Sequence, residues 1–211
     1  DGTPELRGSI PFNRFYGAIL KIARPNSIAE VDDKNYMAFS KRLINFSASG
    51  LAGVWAEENT REAIYDAFRR KETFATSGPR IKVRFFAGYE LSDAQLNSQN
   101  LLSELYKNAA AMGSTLLAED KKSPSFLVWA IADVQGAPLQ RTQVIKGWLE
   151  NGEHREKVYD VACSDGLEVN AETNRCPENG ARVNLNDCSY SGDVGANELK
   201  TLWKDPDFKQ D

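Results

Sequence analysis

Residues 51–80, LAGVWAEENTREAIYDAFRRKETFATSGPR, pack strand, capped helix, strand and turn into one unbroken run. Residues 51–56 are short, apolar and bounded by Gly50, which suits a buried strand. Asn59 is a candidate N-cap, and Glu62, three residues on, gives capping-box spacing with Asn in place of Ser or Thr. Ala63, Ile64, Ala67 and Phe68 share one helical face. Arg69, Arg70 and Lys71 close the helix at its negative end, whereas Glu57, Glu58 and Glu62 sit at its positive end. Residues 73–76 return as a strand, Ser77-Gly78-Pro79 turns the chain, and residues 81–86 leave as a strand with Ile81, Val83 and Phe85 alternating against Lys82 and Arg84.

Downstream the texture becomes β. Residues 125–133 are apolar. Residues 141–149 place Thr142, Val144, Lys146 and Trp148 on one face and Gln143, Ile145 and Gly147 on the other. Asn151-Gly152 is a strong hairpin signal, because both residues tolerate positive φ, and residues 154–162 form the partner strand. Between the two regions, residues 92–112 read as a helix starting at Ser92 or Asp93. Upstream, residues 1–30 read as an irregular arm with a helical turn near residues 15–22, and residues 31–46 as a helix starting at Asp32-Asp33. Residues 193–204 predict a last short helix with Leu199, Leu202 and Trp203 inward, ended by Asp205-Pro206-Asp207.

The chain has 211 residues and a net charge of −4 with both signs interspersed, which argues against nucleic acid as the main partner. No apolar run approaches the roughly 20 residues of a membrane span. Cys163, Cys176 and Cys188 contain no CxxC pair, and one histidine cannot complete a zinc site of the usual type. They read as disulfide chemistry in a periplasmic or secreted setting, or as three reduced structural cysteines.

The stretch GVWAEENTREAIYDAFRRKETFATSGPRIKVRFF, with APLQRTQVIKGW, EKVYDVACSDG and ELKTLWKDPDF further on, resembles the bacterial family catalogued as domain of unknown function 3604. That family is similar to the PHP-type metal-dependent hydrolases, which have a distorted β/α barrel. The resemblance implies an α+β chain: an α/β remnant of a PHP-like barrel in residues 1–77, the end of a larger α/β domain, then a β-rich accessory domain in residues 78–211, an antiparallel β-sandwich-like unit with helical insertions and a cysteine loop. Relatives of that kind split phosphoesters, sulfoesters or carbamates with a metal-activated water. The chain carries no HxH pair, so the histidine and aspartate segments are expected upstream. The fragment alone is then expected to be inactive and to bind no cofactor or metal, with a divalent metal in the full-length protein and the upstream domain of the same polypeptide as its partner. Relatives carry a further cysteine beyond Phe208, which suggests a Cys176–Cys188 bridge that leaves Cys163 unpaired; Cys163–Cys176 is the alternative.

Within the chain, Glu57, Glu58, Arg61 and Arg80 are the candidate catalytic side chains: the glutamates because they follow a strand, where barrel enzymes place functional groups, the arginines because they can clamp an anion bidentately. Helix-end charge compensation and solvent-facing ion pairs explain the same residues without function. Ser77 lacks the second glycine of a nucleophile elbow. His154 reads as exposed, and Asp165, Glu168, Asn170 and Glu172 as a solvated loop whose spacing matches no EF-hand. Trp129 and Trp148 read as core unless both face solvent. The rival function is a non-catalytic glycan- or protein-binding β-module.

Overall fold

The computed structural model describes residues 28–31, 34–37, 50–120, 122–187 and 189–209. The chain divides into two compact units, residues 1–52 with 75–80, and residues 53–74 with 81–211. The fold is mixed α and β, with few helices and several antiparallel sheets.

In the first unit, strands β1 (Ile28–Val31) and β2 (Lys34–Met37) pair antiparallel, Ile28 opposite Met37 and Val31 opposite Lys34. The helix expected over residues 31–46 is therefore corrected at residues 31 and 34–37, where Val31 and Tyr36 are β-favouring residues; Asp32-Asp33, read as a helix start, lie outside the described residues. Residues 38–46 and the helical turn near residues 15–22 lie outside the described residues. Elsewhere in this unit the Thr76 amide donates to the Leu51 carbonyl, and the Leu51 amide to the Thr76 hydroxyl.

The strand–helix–strand run forms as β3 (Ala52–Val54), α1 (Arg61–Arg70) and β4 (Thr73–Ala75), with β3 and β4 paired. The N-cap is Thr60 rather than Asn59: Thr60 is extended (φ −116°, ψ 157°) and its hydroxyl accepts the Ala63 amide at 3.3 Å, so the Asn59–Glu62 box gives way to a cap one residue later. The helix ends at Lys71, whose φ of 61° lets its amide reach the Phe68 carbonyl while the Glu72 amide reaches that of Ala67, a Schellman closure. Gly53 is required where it stands, because a Cβ there would lie 2.4 Å from the Phe74 ring.

The second unit is built on a four-stranded sheet in the order β10–β7–β5–β6, from β5 (Lys82–Gly88), β6 (Ala110–Ala111), β7 (Ser125–Ile131) and β10 (Glu198–Lys204). Side chains alternate across it. On one face Phe86, Leu127 and Leu202 pack with Leu101 and Leu105 of α2 (Leu101–Asn108); Leu96, from a short 3-10 helix (Asp93–Asn97), joins them. The reading of residues 92–112 as one helix thus becomes two short helices and a strand, since Ser98 leaves helical geometry at ψ 135°. On the other face Phe85, Val128 and Trp203 pack with Tyr159 and Val161 of a later strand, β9 (Glu153–Cys163).

That second covering is the hairpin of β8 (Arg141–Glu150) and β9 (Glu153–Cys163), joined by Asn151-Gly152 at φ 53° and 81°, as its turn chemistry demands. The helix expected over residues 193–204 is corrected: residues 198–204 are strand β10. Leu202 and Trp203 point to opposite faces of a sheet buried on both sides, so their helix-like spacing serves two cores instead of one.

Replacing Trp203 by Ala should remove about 3 kcal/mol, because its ring packs on Phe126 and Tyr159 at centroid distances of 5.6 and 5.1 Å and docks the hairpin on the sheet. Equilibrium urea unfolding monitored by circular dichroism measures this; a loss below about 0.5 kcal/mol, the range of ordinary surface substitutions, would contradict the strand assignment.

Candidate functional site

Glu57, Glu58 and Arg61 are exposed at the start of α1. Glu58 accepts the hydroxyl of the capping Thr60 at 3.1 Å. Arg61 borders a shallow recess with Ile64, Tyr65 and Phe68. Arg80 belongs to the other unit and is exposed, as is Ser77. His154 is exposed in β9, opposite Leu149. In the loop after β9, Asp165 accepts the Gly195 amide at 2.9 Å, the Ser164 hydroxyl and the Asn179 amide. Asn170 turns onto the amides of Glu172 and Thr173. Among the described residues no group of three or more His, Cys, Asp or Glu is placed to hold a metal ion.

Two constellations escaped the sequence reading. The first is centred on Asp160, whose side chain is fully buried. One carboxylate oxygen accepts the Cys176 amide at 2.7 Å and Arg141 at 3.0 Å; the other accepts Gln143 at 2.6 Å and Arg175 at 3.2 Å. Burial pushes its pKa up, but the donors from Gln143, Cys176, Arg141 and Arg175 outweigh burial and hold it below the usual carboxylate value. A register shift between Thr142 and Gln143 places Gln143 opposite Asp160. The hub ties both hairpin strands to the cysteine loop beside the disulfide, which joins Cys163 to Cys176. The expected Cys176–Cys188 bridge is thereby corrected in favour of its alternative: Asp160 anchors the Cys176 amide at the end of β9, within reach of Cys163. The lone Asp in the apolar run YDVAC was the available signal.

The second constellation is a cleft of about 860 Å³ between the distal half of the hairpin and residues 206–209, lined by Lys146, Trp148, Lys157, Asp207, Phe208 and Lys209 among others. Lys146 and Lys157 are directly opposed across β8 and β9, an unfavourable pairing of like charges. The Asp205-Pro206-Asp207 segment compensates it. Lys146 pairs with the buried Asp205 at 2.5 Å and donates to the Asp207 carbonyl at 3.1 Å. The Asp207 carboxylate accepts both the Lys157 ammonium and, at 2.6 Å, the Tyr159 hydroxyl. Lys157 and then Tyr159 lower the Asp207 pKa; burial first, then the Asp207 hydrogen bond, raises that of Tyr159. Trp148 forms one wall, with the Lys146 ammonium 5.1 Å from its ring centre. Trp129 does not join it: it packs against the Phe86–Leu127 cluster with Lys200 over its ring. Counting back equally from the Asn151-Gly152 turn would have placed Lys146 opposite Lys157.

The Asp160 hub yields a stability prediction. Asp160→Ala should cost about 3 kcal/mol at pH 7, since it leaves the Cys176 amide and the Nη1 of Arg141 without their acceptor. Because folding lowers the pKa of Asp160, its contribution is complete above the unfolded value of about 3.9 and is lost as pH falls through the lower folded value. The wild-type chain should therefore lose its advantage over the variant in acid. Urea midpoints of the two proteins, measured at pH 7 and again in acid, provide the check; equal midpoints at pH 7 would contradict the hub.

The family model described as protein of unknown function, DUF3604, matches residues 10–211. No curated protein and no solved structure matches the chain significantly. The match spans nearly all of the 211 residues, and with it the central sheet, the Asp160 hub and the lysine cleft: this chain belongs to the DUF3604 family.

Proposed function

We propose that the chain is the C-terminal accessory part of a periplasmic or secreted metal-dependent hydrolase of phosphoester, sulfoester or carbamate type, with residues 1–77 ending a PHP-like barrel domain and residues 78–211 forming a β-sandwich-like accessory domain. The observation that carries the accessory role is the allocation of buried charge. Asp160 is held by Arg141, Arg175, Gln143 and the Cys176 amide, Glu72 by Arg70 and Tyr106, and Asp205 by Lys146. These acids stabilise the scaffold.

The resolved pKa shifts agree: Asp160, Asp165, Asp187 and Asp207 move down, and Tyr106, Tyr159, Lys122 and Lys157 move up. Every one of these moves away from neutrality, opposite to the tuning of a general acid or base. The donor set of the described residues also does not fit a divalent catalytic metal, since the one histidine is exposed in β9 and the buried acids among them are already bonded to cations. In this reading the metal and the reacting groups belong to an upstream domain of the same polypeptide. A location outside the cytoplasm is compatible with the Cys163–Cys176 disulfide. Among the described residues no helix is long and apolar enough to cross a membrane.

A second reading, a non-catalytic glycan-binding β-module, is favoured by the cleft walled by Trp148.

The primary reading is tested by comparing the 211-residue chain with a longer polypeptide that includes the preceding segment. Metal content by mass spectrometry and hydrolysis of nitrophenyl phosphate, sulfate and carbamate esters are measured for both. Metal and hydrolysis confined to the longer form are expected. A metal-free, inert longer form, or stoichiometric metal and turnover in the 211-residue chain, would overturn it.

A further inference from the structure

We propose that the cleft between the β8–β9 hairpin and residues 206–209 binds an acidic sugar, a pyranose carrying a carboxylate, with Lys146, Lys157 and Lys209 taking the charge and Trp148 taking the ring; this rests on the glycan-binding reading and names its ligand class. Four observations converge on it.

The first is charge. In a chain whose net charge is −4, this cleft gathers three lysines against two carboxylates, Glu150 and Asp207. Both carboxylates are already engaged, Glu150 by Arg155 and Asp207 by Lys157 and Tyr159. Lys209 has no ion pair among the described residues, so the uncompensated charge of the cleft is positive.

The second is unused donor capacity. An ammonium group has three N–H donors. Lys146 gives one to Asp205 and one to the Asp207 carbonyl, which leaves one. Among the described residues Lys209 gives away none of its three. A carboxylate entering here meets donors without displacing any bond already made.

The third is that carboxylates of the chain already bind the opposed lysines beside the unused donors. Asp207 holds its own carboxylate against the Lys157 ammonium and the Tyr159 hydroxyl. Asp205 does the same for Lys146, so each of the opposed lysines takes a carboxylate of its own, which offsets their like-charge repulsion.

The fourth is shape. About 860 Å³ falls within the range of roughly 300–1,000 Å³ typical of small-molecule sites. Trp148 and Phe208 line it. Trp148 is half-buried and belongs to none of the three hydrophobic clusters. The indole lies outside the core, and the face not covered by the Lys146 ammonium is the one on which the apolar C–H face of a pyranose would stack. An acidic peptide would use the lysines and leave this wall idle, which favours the sugar.

The test is titration of the full chain by calorimetry with a short oligogalacturonate, with a neutral gluco-oligosaccharide of the same length as control. Binding of the acidic oligomer is expected, at least tenfold tighter than that of the neutral one and weakened by raising salt from 20 to about 300 mM, since a solvent-facing charge pair is screened on that scale. Trp148→Ala and Lys209→Ala, neither of which removes a core contact, should each weaken binding at least fivefold with unchanged circular dichroism and urea midpoint. Equal binding of both oligomers would overturn the acidic class and leave the glycan-binding reading standing. Binding of neither would overturn both. Acidic binding that survives both substitutions would overturn the site.

Discussion

A sheet with two apolar faces must be covered twice, and that constraint organises the second unit. Strands β5, β7 and β10 send Phe86, Leu127 and Leu202 to one side and Phe85, Val128 and Trp203 to the other. Neither set can be left in water: burying a side chain of this size stabilises by roughly 1.5–3 kcal/mol. The helix α2 with its 3-10 neighbour covers the first face and the proximal half of the hairpin the second. A third cluster, Ala130, Leu139 and Leu199, closes the end of the sheet where the loop before β8 meets the segment before β10.

Polar contacts then lock those coverings in place. Arg84 projects from the sheet, lies 3.7 Å from the Trp55 ring centre and donates to the Tyr106 hydroxyl, which in turn donates to the buried Glu72. One chain of contacts thereby joins the strand–helix–strand run, the sheet and α2. Asp160 does the same for the hairpin and the cysteine loop, and Asp205 for the segment after β10. Each buried carboxylate meets a cation or amide from a different element, which is where removing one partner is most costly. Among the described residues the sheet's second cluster takes Val144, Tyr159 and Val161 from the hairpin and nothing beyond them toward the turn. The inward face of the hairpin's distal half, Lys146, Lys157 and Trp148, is accordingly polar and aromatic, and there the cleft opens.

Much of this was legible in the sequence, for physical reasons that differ from element to element. The alternation in residues 141–149 and the Asn151-Gly152 turn state the hairpin, but not the register shift between Thr142 and Gln143 that sets Gln143 opposite Asp160. Residues 198–204 hid their strand because both faces are buried: Leu199, Leu202 and Trp203 then satisfy helical spacing by coincidence. The cap of α1 slipped by one residue because Asn59 and Thr60 are both competent caps and only backbone geometry chooses between them. Asp160 and the opposed lysines were visible as residues but not as partners, since their meaning comes from cross-strand position. The DUF3604 match agrees with the family resemblance of residues 50–86 and later segments.

The most direct test of the doubly covered sheet is native-state hydrogen exchange read residue by residue. Amides of β5 and β7 that donate within the sheet should exchange only through global unfolding, with one common, denaturant-sensitive free energy, because neither covering can leave without exposing a core. Exchange of those amides at the rates of the loop following β9, independent of denaturant, would contradict the account.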